Sequence, residues 1–181
     1  LDNNILCFAD KSVVAMRQIE PHLVQEMVKA GCVLLENQQD IQRLVDLTVL
    51  PNGTPNKKFV GKNASVILDA AHIPYNGDPR LIIMRAPKNH PFAVIEMLMP
   101  ILPVVTVDSF DEGLDVCLML EAGLHHTATM HSLNMERLNR MARKMKTSIF
   151  VKNGPSYAGL GFSGEGTTTF TIATPTGEST T

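Results

Sequence analysis

Cys7 carries a side chain that can act as a nucleophile, and the amides of Asn3 and Asn4 precede it closely. A cysteine thiolate is both a strong nucleophile and a good leaving group, which suits acyl transfer through a covalent intermediate. It needs a positive or hydrogen-bonding environment to ionise near neutral pH. A single cysteine in an apolar stretch is more often a small buried side chain. Cys7 taken alone therefore leaves both interpretations open.

Two other features could act together with a thiol. Glu96 is an acid within the apolar run HPFAVIEMLMPILPVV, and a carboxylate is costly to bury unless it is paired or used. The alternative is that Glu96 lies on the exposed side of a short helix. His125 and His126 occur in GLHHTATMHS, where the alternative is a histidine hydrogen-bonded at the start of a strand. Cysteine with histidine also fits a cysteine hydrolase, although no oxyanion hole or third orienting group is identified.

The remaining cysteines and the composition indicate an ordinary folded chain. Three cysteines, an odd number without metal-type spacing, favour free thiols in a reducing cytoplasm, and we predict no metal site. Cys32 and Cys117 have apolar neighbours and are expected in the core.

With 181 residues, 44% of them hydrophobic, the chain can bury a sizeable core. Its formal net charge of -2 offers no basic surface for nucleic acid. No apolar run reaches the roughly 20 residues that cross a bilayer.

Strands and helices are predicted to alternate along most of the chain. Continuous apolar runs indicate buried strands, and helical periodicity between proline and glycine boundaries indicates helices. Strands are predicted at 11–16, 32–35, 79–87, 101–107, 126–132, 147–154 and 167–177, and helices at 20–31, 37–47, 64–73, 109–123 and 134–145. The stretch 51–63, rich in proline, glycine and asparagine, predicts a surface loop. This alternation is typical of an α/β fold with a largely parallel sheet.

The segment GLGFSG, residues 159–164, matches the G-x-G-x-x-G pattern of dinucleotide-binding folds. That pattern binds a pyrophosphate only where it directly follows a strand and opens a helix. Here a threonine-rich, β-prone stretch follows it. The segment is therefore predicted to be a flexible loop rather than a nucleotide site.

Five segments together resemble the CoA-acylating aldehyde dehydrogenases of the propanediol- and ethanolamine-utilisation type. They are DNNILC, NHPFAVIEMLMPILPVV, HHTATMHS, TSIFVKNGPSYAGLGFSGEG and TPTGE, which are colinear and span nearly the whole chain. The resemblance implies the three-layer α/β catalytic domain of that family over residues 1–181. Since the chain starts at Leu1 rather than methionine, we expect it to be a piece whose upstream nucleotide-binding domain is absent.

The resemblance also implies a reaction. Cys7 would attack a short aldehyde, a nicotinamide cofactor (NAD or NADP) would be reduced, and coenzyme A would take the acyl group from the resulting thioester. Glu96 would hydrogen-bond the nicotinamide ribose and Leu98 would pack by the ring, where the wider superfamily usually has an aromatic residue. His126 would lie near the thiol and either help to deprotonate CoA or steer the intermediate. The loop at 159–164 would border the active-site mouth.

Further expectations follow from the same resemblance. The enzyme would assemble as a homo-oligomer in the cytoplasm or inside a bacterial microcompartment, with shell proteins as partners through an N-terminal segment, and with neither membrane nor nucleic acid. The isolated piece would be inactive because an oxyanion-hole asparagine belongs to the absent domain. Two alternatives stay open, a non-acylating aldehyde dehydrogenase that hydrolyses its thioester and a non-catalytic assembly module.

Overall fold

The computed structural model describes residues 2–161, and these form alternating strands and helices. The strands are β1 (Val13–Met16), β2 (Cys32–Leu35), β3 (Leu81–Arg85), β4 (Ile101–Val107), β5 (Thr127–Met130) and β6 (Ile149–Lys152). The helices are α1 (Glu20–Lys29), α2 (Gln38–Thr48), α3 (Ala64–Ala70), α4 (Pro91–Val94), α5 (Phe110–Glu121) and α6 (Met135–Met145). Short 3-10 helices occur at Asp2–Asn4 and Ser156–Leu160.

Each strand and helix predicted within these residues is confirmed. The strand predicted at 167–177 lies outside the described residues, and the short helix α4 is an addition to the predicted order.

The chain divides into two compact units. The first comprises Leu1–Cys7 and Lys11–Ser109, and the second comprises Phe8–Asp10 and Phe110–Thr181. Strands β1 to β4 and helices α1 to α4 therefore belong to the first unit, and the later strands and helices belong to the second.

The first unit is built on a four-stranded sheet in the order β1-β4-β3-β2, with every neighbouring pair parallel. In this register Ile82 pairs with Val33 on one side and with Ile101 on the other. Parallel neighbours need crossover connections. Helix α1 lies between β1 and β2 in the chain, and α2 and α3 lie between β2 and β3.

Helices cover both faces of this sheet. In β3, Ile82 and Met84 join a core cluster that contains Leu44 of α2 and further side chains of α3. The intervening Ile83 points the other way and packs in a cluster with Val24 of α1. Alternate side chains of a strand point to opposite faces, so the sheet is the middle layer of three. A strand buried on both faces needs the continuous apolar sequence that β3 has.

The second unit contains a separate two-stranded sheet, in which β5 and β6 are parallel and Ala128 pairs with Phe150. Ala128 packs against side chains of α5 and α6, among them Leu114 and Met141. The prediction of a largely parallel α/β arrangement is confirmed, but among residues 2–161 the strands form two sheets rather than one. The alternation of strands and helices along the sequence predicts that the strands are parallel. It does not predict which strands become neighbours in a sheet, because that depends on pairing between residues distant in sequence.

Candidate active site

Cys7 is exposed and lies in a turn shortly after the 3-10 helix Asp2–Asn4. Asn3 and Asn4 both have left-handed backbones, with φ of 52° and 60°. Asparagine adopts this conformation more readily than other non-glycine residues, so the pair permits a tight bend before the thiol. An accessible thiol is a requirement of the nucleophilic role, because buried structural cysteines are inert.

The other two cysteines differ from Cys7 in environment. Cys32 and Cys117 are half-buried and pack against the core clusters of their units, so they flank the core rather than filling it as expected. Burial raises the pKa of Cys32, and it raises the pKa of Cys117 to about 11. Both thiols therefore stay protonated at neutral pH, which makes them poor nucleophiles.

The segment that carries the thiol is anchored to Gly61. The Asn3 side-chain amide donates to the Gly61 carbonyl oxygen at 3.0 Å and to Asn63 Oδ1 at 2.8 Å. The Gly61 N–H donates in turn to the carbonyl oxygen of Leu98 at 2.9 Å. The chain before Cys7 and the chain around Leu98 thus meet at one glycine within the first unit.

Glu96 is exposed and follows α4 after one residue, so it lies beyond that helix rather than on its outer side. Its neighbour Met97 is buried, and the carboxylate has no hydrogen bond or ion pair with any residue from 2 to 161. A carboxylate that is buried without a partner is costly, whether Glu96 binds a ligand or is only a surface residue. Because Glu96 is exposed, it avoids this cost, and both carboxylate oxygens are available to a ligand.

Leu98 is half-buried and has a left-handed backbone with φ of 53°. For a residue with a Cβ this conformation costs roughly 1–2 kcal/mol. Such strain persists where the surroundings impose it, and it clusters at ligand sites. Here Met97 and Met99 are buried on either side, and the carbonyl of Leu98 is fixed by Gly61. Leu98, the residue predicted to contact the nicotinamide, therefore has a backbone conformation that its surroundings impose and that leucine does not favour.

His126 belongs to the second unit, just before β5. Its Nδ1 lies 2.6 Å from Thr127 Oγ1, which orients the ring. Its Nε2 is buried and has no hydrogen-bond partner within the part of the chain that the structure describes. Buried polar atoms are rarely left unpaired, and the exceptions in native proteins are associated with strain, a catalytic role, or an ordered water or ion.

The neighbouring His125 has a different local role. Its Nδ1 lies 3.0 Å from the carbonyl oxygen of Met145, at the end of α6, and its backbone is left-handed with φ of 52°. The sequence presents the two histidines as equivalent, but of the two only His126 has a buried ring nitrogen without a hydrogen-bond partner in residues 2–161.

Sequence reasoning missed the part that Gly61 and Asn63 play. Both lie within the stretch 51–63, which was predicted only as a surface loop. Composition identifies a loop, but it does not reveal which distant segment the loop contacts. The one available signal was an asparagine pair placed before a candidate nucleophile.

The described part of the 159–164 segment does not meet the requirements of a dinucleotide site. Strand β6 ends at Lys152, and the 3-10 helix Ser156–Leu160 precedes Gly161, so the segment does not follow a strand directly. Residues 162–164 lie outside the described residues. Within residues 2–161 no group of three or more histidine, cysteine or acidic side chains could hold a metal ion. The helices described there are all too short or too polar to span a bilayer.

No protein-family model matches the chain. Curated proteins and solved structures do. The chain is 51% identical over 181 residues to the propanal dehydrogenase (CoA-propanoylating) of Citrobacter freundii, which covers 99% of this chain and 39% of that enzyme. The chain thus spans about two-fifths of the length of the curated relatives it matches.

Solved structures agree with the sequence match. A propionaldehyde dehydrogenase of Rhodopseudomonas palustris, with bound CoA and an acylated cysteine, has a TM-score of 0.91 at 43% identity, covering 97% of this chain and 40% of that chain. A propionaldehyde dehydrogenase from the Clostridium phytofermentans fucose utilisation bacterial microcompartment has a TM-score of 0.92 at 41% identity, covering 98% and 40%. The chain is therefore a homologue of the CoA-acylating aldehyde dehydrogenases.

Proposed function

We propose that this chain is the nucleophile-bearing part of an enzyme that converts a short aldehyde to its acyl-CoA with reduction of NAD or NADP. The observation that carries the proposal is an exposed thiol, Cys7, whose segment is tied through Gly61 to Leu98, in a chain homologous to CoA-propanoylating enzymes. The half-buried Cys32 and Cys117, with their raised pKa values, are unsuited to the same role.

Cys7 performs the covalent chemistry. Its thiolate adds to the aldehyde carbon and forms a thiohemiacetal. When bound, the nicotinamide supplies the oxidation by accepting the hydride of that carbon. Cys7 then holds the acyl group as a thioester, a form from which its sulfur leaves readily. The thiol of CoA attacks the thioester, loses its proton, and releases the Cys7 thiolate for another turnover.

Glu96 and Leu98 fit the binding of a nicotinamide nucleoside. The free carboxylate of Glu96 can accept hydrogen bonds from both ribose hydroxyls, and ionised acceptors make strong bonds of this kind. Leu98 presents a half-buried apolar side chain from a fixed backbone, which suits contact with a ring.

His126 fits the transfer half of the reaction. Its Nε2 has no partner in residues 2–161, while Nδ1 is oriented by Thr127. With Nδ1 carrying the ring proton, Nε2 can accept the proton of the CoA thiol as the thioester is attacked. Imidazole is the side chain that most often serves as a general base in enzymes.

The remaining proposals concern the whole protein. Residues 1–181 form the catalytic domain, and the rest of the enzyme supplies a nucleotide-binding domain and an oxyanion-hole donor. We place the enzyme in the cytoplasm or within a bacterial microcompartment, as a homo-oligomer, with shell proteins as partners in the second case. One relative's origin in a microcompartment supports this placement.

Replacing Cys7 with Ala in the complete enzyme tests the function. We expect acyl-CoA formation to fall to background, because Cys32 and Cys117, the other two thiols of this chain, are half-buried and have raised pKa values. Cys32→Ala and Cys117→Ala are matched controls and should keep most of the activity. Propanal, NAD and CoA are supplied, and acyl-CoA is followed by mass spectrometry. Wild-type activity in the Cys7→Ala variant would overturn the proposal.

The same assay separates the alternatives. Without CoA, the proposed enzyme releases at most one equivalent of NADH per active site, whereas a hydrolysing aldehyde dehydrogenase turns over repeatedly. An assembly module produces no NADH in either case.

A further inference from the structure

We propose that Asn3 and Gly61 are positioning residues, which set the turn that carries Cys7 against the segment that carries Glu96 and Leu98. The inference rests on the proposed function, which makes Cys7 the nucleophile and Glu96 and Leu98 the nicotinamide contacts. We call the hydrogen bonds that join these two segments through Gly61 the frame. Neither Asn3 nor Gly61 touches a reacting atom in this account. They act through the two segments that they join.

Asn3 uses its side-chain amide as a double tether. The Nδ2 group donates to the Gly61 carbonyl oxygen at 3.0 Å and to Asn63 Oδ1 at 2.8 Å, so both of its hydrogens are engaged. Its left-handed backbone, with φ of 52°, suits asparagine, aspartate or glycine. Of these three, only asparagine also supplies an N–H donor at the end of its side chain.

Asn63 shows that this tether replaces an ordinary helix cap. Asn37, Asn63 and Asn134 occupy the N-cap positions of α2, α3 and α6. In Asn37 and Asn134 the side chain accepts from a backbone N–H of its own helix, at 2.8 and 3.0 Å. Asn63 makes no such bond and accepts from Asn3 instead. An N-cap bond normally stabilises a helix, so α3 lacks a usual source of stability.

Gly61 joins the two segments through its backbone. Its carbonyl oxygen accepts from Asn3 while its N–H donates to Leu98. Its φ of +69° is left-handed, and a Cβ placed there would lie 2.4 Å from Ile5 Cδ1 and 3.1 Å from Ile5 Cγ1. Any side chain at this position must therefore displace the outer end of the Ile5 side chain, and Ile5 lies between the tether and Cys7 in the chain.

The chemistry explains why such a frame matters. Reacting atoms must approach to about 3–3.5 Å in the right orientation, and a displacement of about 1 Å can cost on the order of 100-fold in rate. Substrate affinity depends less on this alignment. Loss of the frame should consequently lower kcat far more than it changes KM.

Gly61→Ala in the complete enzyme is the first test, and Gly53→Ala is its matched control. Gly53 has a similar φ of +77° in the same loop, but a Cβ there meets nothing within 4 Å. Both variants incur the same kind of backbone strain, and only one displaces Ile5. We expect Gly61→Ala to lower kcat by at least about tenfold with nucleotide KM within about twofold, and Gly53→Ala to leave both near wild type. Equal kcat values in the two variants would overturn the proposal.

Asn3→Asp provides a second test that retains shape and tolerance of the left-handed backbone but removes the donor. We expect a similar fall in kcat, and amide hydrogen exchange in residues 2–7 faster by about tenfold, as loss of stabilising hydrogen bonds allows. Adding Asn63→Ala to Asn3→Asp should cause no further loss, because the two residues share one interaction. Unchanged exchange together with unchanged kcat would refute the tether.

The exchange measurement keeps the two proposals distinguishable. It reports on the tether whether or not Cys7 is the nucleophile. An active Cys7→Ala enzyme would refute the proposed function, while faster exchange in Asn3→Asp would still establish that Asn3 anchors the segment.

Discussion

At the residue scale, what distinguishes the candidate site is the availability of particular atoms. Cys7 is exposed, Glu96 has a carboxylate without a partner in residues 2–161, and His126 has a ring nitrogen in the same condition. Other groups of the same types differ, since His125 Nδ1 contacts the carbonyl oxygen of Met145 and burial raises the pKa of Cys117. Sequence alone predicted the residue types. Whether an atom of such a residue is buried, hydrogen-bonded or without a partner is decided by the fold.

The two histidines allow a sharp prediction. His126→Ala should slow transfer of the acyl group from Cys7 to CoA by about 100-fold or more, the usual contribution of a general base. The preceding oxidation should be spared, so an NADH burst remains and acylated enzyme accumulates, as intact-protein mass spectrometry would show.

His125→Ala is the matched control for that experiment. It removes the contact with the Met145 carbonyl oxygen, so we expect a lower melting temperature with acyl transfer near wild type. If His125→Ala slows transfer and His126→Ala does not, the roles assigned to the two rings are reversed.

At the element scale, helix α4 places Glu96, and its first turn depends on a histidine. His90 is the N-cap, and its Nδ1 accepts from the backbone N–H of Phe92 at 3.2 Å. Burial lowers the pKa of His90 from its ordinary value of 6.5. A protonated imidazole cannot accept this hydrogen bond. Burial and capping therefore both favour the neutral ring in the folded protein.

This cap predicts a pH dependence of stability. Because the pKa of His90 is lower in the folded state than in the unfolded state, its contribution is complete above about pH 6.5 and is lost as the pH falls towards the folded value. His90→Asn keeps a capping oxygen that does not titrate. Melting temperatures at about pH 7.5 and pH 5.5 should fall further for wild type than for His90→Asn. Parallel curves would exclude His90 as the titrating group.

The elements also show how far sequence reasoning extends. The strands β1 to β4 and β6 were predictable because each contains a continuous apolar run bounded by turn residues. Leu98 was predicted as a contact, but its left-handed backbone was not, since nothing local favours it. It results from buried neighbours and from Gly61, which lies in a different part of the sequence. Contacts of this kind become visible only when long-range pairing is known.

At the scale of the whole molecule, the chain matches about two-fifths of its curated relatives. We expect the isolated chain to show no sustained NADH production with propanal, NAD and CoA. The proposed oxyanion-hole donor lies in the rest of the enzyme, and loss of one such donor costs on the order of 100- to 1000-fold in rate. Absorbance at the NADH band over hours, beside the complete enzyme at equal concentration, would check this. Sustained turnover would place every necessary group within these residues.

The distribution of contacts on either side of Cys7 has a consequence for biosynthesis. Ile5 lies against Gly61, whereas the next residue after the thiol, Phe8, packs with Ile149, Val151 and Leu160. Contacts between residues distant in sequence form late, because the intervening chain must first be closed into a loop. On the ribosome, the earlier contact can form while the partners of Phe8 are still untranslated. The turn around the proposed nucleophile is therefore completed only after the chain has been synthesised past Leu160.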